Sequence, residues 1–244
     1  MSYTRTSIGT LVQSFGGTLS PTISGQSAGD LLILYAAESL QAASGDSPPA
    51  VSGYTLLNTI AAGGSVNGKN QGLYGRVATG TSADNPSVPP WTSGQEAYAF
   101  IVDYVNSAGV PNLSGIVHAS NENTNSTENS ITFNALTITA AGCLVIAIGQ
   151  RGKTSATDSN TFSTIGSNGG NFNIAYQYNQ GGSFYELAYN DWIQTTATSI
   201  SQGSQASTPN SEASAIGYDT QIIAILKSSG GSPYTNPLVP LMVQ

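Results

Sequence analysis

Residues 27–38, SAGDLLILYAAE, and residues 140–151, AAGCLVIAIGQR, decide how this chain is read. Each carries a short apolar run, Leu31–Ala37 and Leu144–Ile148, entered through Gly and left through Glu, Gln or Arg. Ala99–Val102 (AFIV) and Ile222–Leu226 (IIAIL) repeat the signature. Apolar runs of about four to eight residues between turn residues predict strands buried on both faces. Two segments read both ways. In 184–194, Tyr185, Leu187, Tyr189 and Ile193 alternate with Glu186, Asn190 and Gln194, while Phe184, Leu187, Ala188, Asp191 and Trp192 fit a helical face. The strand is preferred, because Thr195, Thr196 and Thr198 follow and are poor helix formers. In 31–43 the first half reads as strand and Ala36–Ala43 as strand or one to two helical turns.

The order of elements repeats. SAGDLLILYAAE aligns with AAGCLVIAIGQR, GYTLLNT (53–59) with TFSTIGS (161–167), LYGRVATG (73–80) with IAYQYNQG (174–181), and AYAFIVDYV (97–105) with DTQIIAILK (219–227). Two degenerate halves, about 28–106 and 140–227, are expected to pack face to face as an all-β antiparallel sandwich spanning 1–227. SYTRTSIGTLV (2–12) suits an edge strand and NENTNSTENS (121–130) an exposed loop between the halves. Residues 228–244 read as a SSGGS linker (228–232) and an apolar arm. In that arm Pro233, Pro237 and Pro240 forbid a helix and disfavour a central strand. Pro237, Leu238, Val239, Pro240, Leu241, Met242 and Val243 are its candidate assembly residues.

The 244 residues include 33 Ser, 25 Thr, 19 Asn and 13 Gln, while only 8% are charged. A net charge of −7 with six Lys and Arg leaves no basic face for nucleic acid. No apolar run approaches the roughly 18 residues of a membrane helix, and MSYTRTSIGT shows no signal-peptide core. Synthesis in a cytoplasm, without a visible secretion signal, is therefore expected. Cys143 is the lone cysteine and His118 the lone histidine, so neither an internal disulfide nor a Cys/His zinc site is expected.

Several motifs resemble chemistry. GQSAG (25–29) has the spacing of a nucleophile elbow, with Ser27, Asp103 and His118 in hydrolase order. A strand should precede that serine and a helix follow it; Pro21 lies before it and strand-like sequence after, so a plain turn is expected. GGSVNGKN (63–70) approaches a phosphate loop, but Asn70 replaces the magnesium-binding hydroxyl, and a hairpin turn is expected. Glu96 with Asp103, and Glu186 with Asp191, are separated by odd numbers of residues, which places each pair on opposite faces of a strand. Calcium ligation by Asp158–Asn160, or by Glu122 and Glu128, has no specific support. No catalytic residue, metal ligand or cofactor is assigned. Trp91, Tyr185, Tyr189 and Trp192 are candidates for stacking on a glycan, with core packing as the preferred role.

AGDLLILYAAES, PPAVSGYTLLNT, LYGRVATGTSADNP and AYAFIVDYVN together resemble a module of tailed-bacteriophage structural proteins. That family pattern runs through a GDLLL strand, a P-x-G-W-T-L segment (here Gly53-Tyr54-Thr55-Leu56-Leu57) and a Y-x-R-V-A-T-G strand (here Tyr74–Gly80). The resemblance covers about 28–227, the second half as a degenerate copy. It implies a jelly-roll-like sandwich and a location in the virion. The expected function is non-enzymatic, capsid decoration or cementing, with a tail or fibre module binding host carbohydrate as the alternative. Expected partners are other copies of the chain, a trimer being favoured, and virion proteins such as the major capsid protein.

Overall fold

The computed structural model describes residues 3–39, 47–60, 69–91, 96–107, 111–114, 116–123, 130–138, 141–152, 161–162, 173–178, 185–194, 198–200, 203–208 and 218–225. These form strands and connecting turns, with no helix among them. The first sheet contains β1 (Tyr3–Ile8), β2 (Val12–Phe15), β3 (Leu31–Ser39), β4 (Thr55–Ile60), β5 (Lys69–Val77) and β6 (Glu96–Asn106). Its antiparallel order is β1–β6–β3–β5–β4, and β2 continues β1 along the same side of β6. Between β1 and β2 the chain passes so close to Thr22 that a Cβ on Gly9 would lie 2.3 Å from the Thr22 carbonyl oxygen. Only glycine fits there.

The remaining strands are β7 (Val117–Asn123), β8 (Ser130–Phe133), β9 (Leu136–Ile138), β10 (Cys143–Gly152), β11 (Thr161–Phe162), β12 (Asn173–Tyr178), β13 (Tyr185–Gln194), β14 (Thr198–Ile200), β15 (Gly203–Thr208) and β16 (Tyr218–Ile225). Five of them build a second sheet in the order β12–β13–β10–β16–β7. The others form two small sheets, β11–β15–β8 and β14–β9.

Both segments that read two ways are strands: Leu31–Ser39 and Tyr185–Gln194. Residues 40–43 and Phe184 lie outside the described residues. The edge strand expected at 2–12 is present as β1 and the start of β2. Asn121–Asn123, expected in a loop, instead complete β7 against Thr220, Asp219 and Tyr218 of β16, and Ser130 opens β8. Backbone pairing does not depend on apolar side chains, so a polar segment serves at a sheet edge. Residues 124–129 lie outside the description.

The two sheets pack face to face. On β3, Leu31, Ile33, Tyr35 and Ala37 face the second sheet, as do Tyr98, Phe100, Val102 and Tyr104 of β6. They meet Leu144, Ile146 and Ile148 of β10 and Leu187 and Tyr189 of β13. The alternate residues of β3 and β6, Leu32, Leu34, Ala36, Ala97, Ala99 and Ile101, are buried too. They lie under a layer of connecting chain that supplies Leu19, Ile23, Val51, Val88 and Trp91. That layer is held by the Leu19–Val88 and Ile23–Asp84 bridges. Burial on both faces is what the uninterrupted apolar runs predicted.

The jelly-roll expectation is not met by this connectivity. A jelly roll alternates its strands between two sheets along the chain, whereas here the first sheet comes wholly from 3–106 and the second from 117–225. Each sheet is wound alike: an early edge strand, then the last, first, third and second of the following four. Two of the matched segments occupy like positions, β3 with β10 and β6 with β16. The other two do not. β5 lies beside β3 as β13 lies beside β10, so LYGRVATG corresponds in position to β13 and not to β12. GYTLLNT corresponds to β12, while Thr161–Phe162 belong to a small sheet. A loose apolar alternation looks the same one strand along, which is how the alignment slipped.

Phe100 is fully buried where the sheets meet, with Tyr35, Tyr176 and Tyr189 rings at 5.6, 5.0 and 5.6 Å. Phe100→Ala is expected to cost about 3–5 kcal/mol, measured by denaturant unfolding. A loss below about 1 kcal/mol would contradict a core centred on this ring.

Candidate functional site

Three segments of the first half converge on one carboxylate. Tyr54 belongs to GYTLLNT, Arg76 to YGRVATG and Asp84 to TSADNP. The Tyr54 hydroxyl donates to Asp84 Oδ2 at 2.7 Å, and Arg76 Nη1 donates to Asp84 Oδ1 at 2.8 Å. The Arg76 guanidinium lies 5.8 Å from the centre of the Tyr54 ring, within cation–π range. Local sequence sets each position. Gly53, at φ 78°, turns the chain into β4, β5 presents Arg76 opposite Leu32, and Asp84 exchanges backbone hydrogen bonds with Ile23. Burial raises the Tyr54 phenol above its usual range, and its bond to Asp84 and that carboxylate's charge add to the rise, against the opposing Arg76. Beside the cluster a depression of about 130 Å³ is lined by Gln26, Arg76, Thr79, Ser82 and Asp84. Gln26 Nε2 donates to the Ser82 carbonyl across it. Chemically the arrangement is a fastening: both carboxylate oxygens are taken, one by Arg76 of β5 and one by Tyr54 in the turn before β4.

A second polar group joins the sheets. Arg5 of β1 reaches Asp191 of β13 at 2.5 Å. Asp191 also accepts from the Tyr104 hydroxyl at 2.8 Å, and the Tyr104 and Tyr189 hydroxyls lie 3.0 Å apart. Burial pushes both phenols well above their usual range.

The residues singled out from sequence are placed as follows. Ser27 sits in a turn closed by Asp30, whose carboxylate accepts the Ser27 backbone N–H at 2.6 Å, and a strand follows it, as the turn reading expected. Asp103 lies on β6, on the face opposite the second sheet, while His118 lies on β7 of that sheet. Lys69 and Asn70 open β5, which pairs antiparallel with β4, and 61–68 lie outside the described residues. Glu96 and Asp103 share a regular stretch of β6 and face opposite ways, as do Glu186 and Asp191 on β13. Trp91 and Tyr189 are buried, at 4% and 0% exposure, which is the core role preferred for them. Trp192 is half-buried. The side chains of Tyr185, His118 and Glu122 lie outside the description, as do Asp158–Asn160, Glu128 and the arm at 233–244. Among the described residues no three His, Cys, Asp or Glu gather as a metal site.

Arg5, Tyr54, Asp84 and Tyr104 were not picked out from sequence. One signal was available: in a chain with six cations, Arg5 and Arg76 fall within strand-forming segments, where an unpaired charge is costly. Comparison with protein-family models, curated proteins and solved structures gives no match.

Asp84→Ala leaves Arg76 and Tyr54 without their partner and is expected to cost about 1–3 kcal/mol in denaturant unfolding, with Asp84→Asn milder. Ser27→Ala keeps the backbone N–H that Asp30 binds. It should stay within about 0.5 kcal/mol of the parent and leave reactivity toward a fluorophosphonate unchanged. Labelling of Ser27 abolished by the substitution would identify a nucleophile instead.

Proposed function

We propose that the chain is a non-enzymatic structural protein of a tailed-phage virion, acting as a capsid decoration or cement module in homo-oligomeric form. The observation that carries this reading is the convergence of Tyr54, Arg76 and Asp84. The residues by which the chain resembles phage modules act here together, as the fastening of the layer over the first sheet. Resemblance confined to unrelated surface positions would carry far less weight. Supporting it, contacts made by a surface of hydroxyls and amides are less sensitive to salt than ion pairs. The like winding of the two sheets suits a duplicated module. Glycan binding by a tail or fibre module is weaker support for function here, since Trp91 and Tyr189 are buried.

In this reading the arm at 233–244 engages neighbouring subunits or the shell. Its five large apolar side chains, Leu238, Val239, Leu241, Met242 and Val243, would each gain about 1.5–3 kcal/mol on full burial. Ordering the backbone costs roughly 1–2 kcal/mol per residue. One arm therefore gains little alone, and several linked arms in an oligomer gain by effective concentration.

Deletion of 233–244 is expected to leave a soluble β-rich body that oligomerises or binds undecorated particles more weakly, measured by sedimentation and particle binding. Equal assembly by the truncated and full-length chains would remove the arm from the reading. Mass spectrometry of purified virions should find the chain at hundreds of copies. A handful would indicate the tail, and absence would reject the virion reading altogether.

A further inference from the structure

The register of β1 against β6 slips between Arg5 and Ser7, so that Thr6 is an extra residue and both Thr6 and Ser7 lie against Asp103. Thr6 Oγ1 donates to Asp103 Oδ2 at 2.5 Å. Asp103 is 1% exposed, yet its Oδ1 has no hydrogen-bond partner; nor has the buried Ser7 Oγ, its cross-strand neighbour. The charged group that acts on it is another carboxylate, Asp30, at the entry to β3. Thr22, Ile23 and Ser24, which line a depression with Ser7, carry no titratable side chain. The arginines whose side chains are described are engaged elsewhere, Arg5 with Asp191 and Arg76 with Asp84. A buried carboxylate facing a like charge, with one oxygen unpaired, is a costly arrangement.

One proton removes each of these difficulties. We infer that Asp103 is held as a neutral carboxylic acid whose Oδ1–H donates to Ser7 Oγ, making the bulge of β1 a proton-keyed latch for the N-terminal strand. Ser7 is paired with Asp103 across the two strands, so a single hydrogen bond between them would satisfy both unpaired atoms. Burial, and next to it the Asp30 charge, raise Asp103 above the ordinary carboxylate range, opposed by the Thr6 hydroxyl and the Tyr104 backbone N–H. The sign of the linkage follows. A carboxyl whose folded value lies above its unfolded value binds more protons in the folded state. Its contribution is fully present below the unfolded value, about 3.9 for Asp, and is lost as pH rises through the folded value.

The test uses the full chain. Infrared difference spectra between the parent and Asp103→Asn should show the carbonyl band of a neutral carboxyl at a pH above about 5, where an ordinary Asp is ionised. Ser7→Ala should shift that band to higher wavenumber, since it removes the acceptor and keeps the acid. Amide exchange at Thr4–Ile8, corrected for its intrinsic pH dependence, should accelerate several-fold with rising pH in the parent and stay flat in Asp103→Asn. If Asp103→Asn does not fold, the band and its Ser7→Ala shift decide alone. Absence of the band above about pH 5, or a band unmoved by Ser7→Ala, overturns the latch. So does an exchange profile that Asp103→Asn shares. A calcium-dependent rise in melting temperature, abolished by Asp103→Asn and without the band, would make the counter-charge a metal ion and overturn the latch equally.

Discussion

Over Leu31–Glu38 and Glu96–Tyr104, strands β3 and β6 show neither face to water, and the rest of the molecule is arranged around that constraint. A strand buried on both sides needs two separate coverings. The second sheet supplies one through Leu144, Ile146, Ile148, Leu187 and Tyr189. The chain between the strands of the first sheet supplies the other through Leu19, Ile23, Val51, Val88 and Trp91. Connecting segments ordinarily run over a surface without packing as a layer. Here they are held by two backbone bridges and by the Tyr54–Arg76–Asp84 fastening. Tyr54, Arg76 and Asp84 thus mark a place where the outer layer is tied down.

Double burial also dictates how polar groups are used. Several of those inside are paired within the fold: Tyr35 with Gln150 across the sheets at 3.1 Å, Asn70 with Glu38 at 3.2 Å, Asn190 with the Ala147 carbonyl at 3.0 Å. Tyrosine suits this setting because its ring fills the core while its hydroxyl reaches a polar atom. Tyr104 does both, packing between the sheets and bonding Asp191. Charge sparsity and internal polarity are in this respect one property of the chain.

What sequence could reveal follows the range of each interaction. Leu31–Ala37 and Leu144–Ile148 were legible as doubly buried strands, because burial acts on every residue of a run and leaves a contiguous mark. The turn at Ser27 was legible because Gly25 and Gly29 adopt positive φ, which local composition signals. Arg5 and Asp191 were not, since they lie 186 positions apart and nothing in either neighbourhood points to the other. Nor was the slip at Thr6, which leaves apolar alternation almost unchanged. The pairing of GYTLLNT with TFSTIGS went astray for a related reason. Short strands of similar composition differ in partner, and partners are set by connectivity and packing.

The sheet edges bear on how such a body associates. An open, regular edge invites pairing with any other strand. Three of the four edges here are irregular: β1 slips between Arg5 and Ser7, β4 between Leu56 and Asn58, and β12 between Ile174 and Tyr176. The fourth, β7, pairs regularly with β16, but β8 and β9 lie close beside it. Bulges bend the strand and interrupt its row of free amides and carbonyls, so β1, β4 and β12 are poor templates for a further strand, while the short β2 pairs regularly with β6. Edge-to-edge growth, which has no natural stopping point, is thereby discouraged in a chain with little charge to keep copies apart. Association of such bodies would then draw on surfaces other than the irregular strand edges.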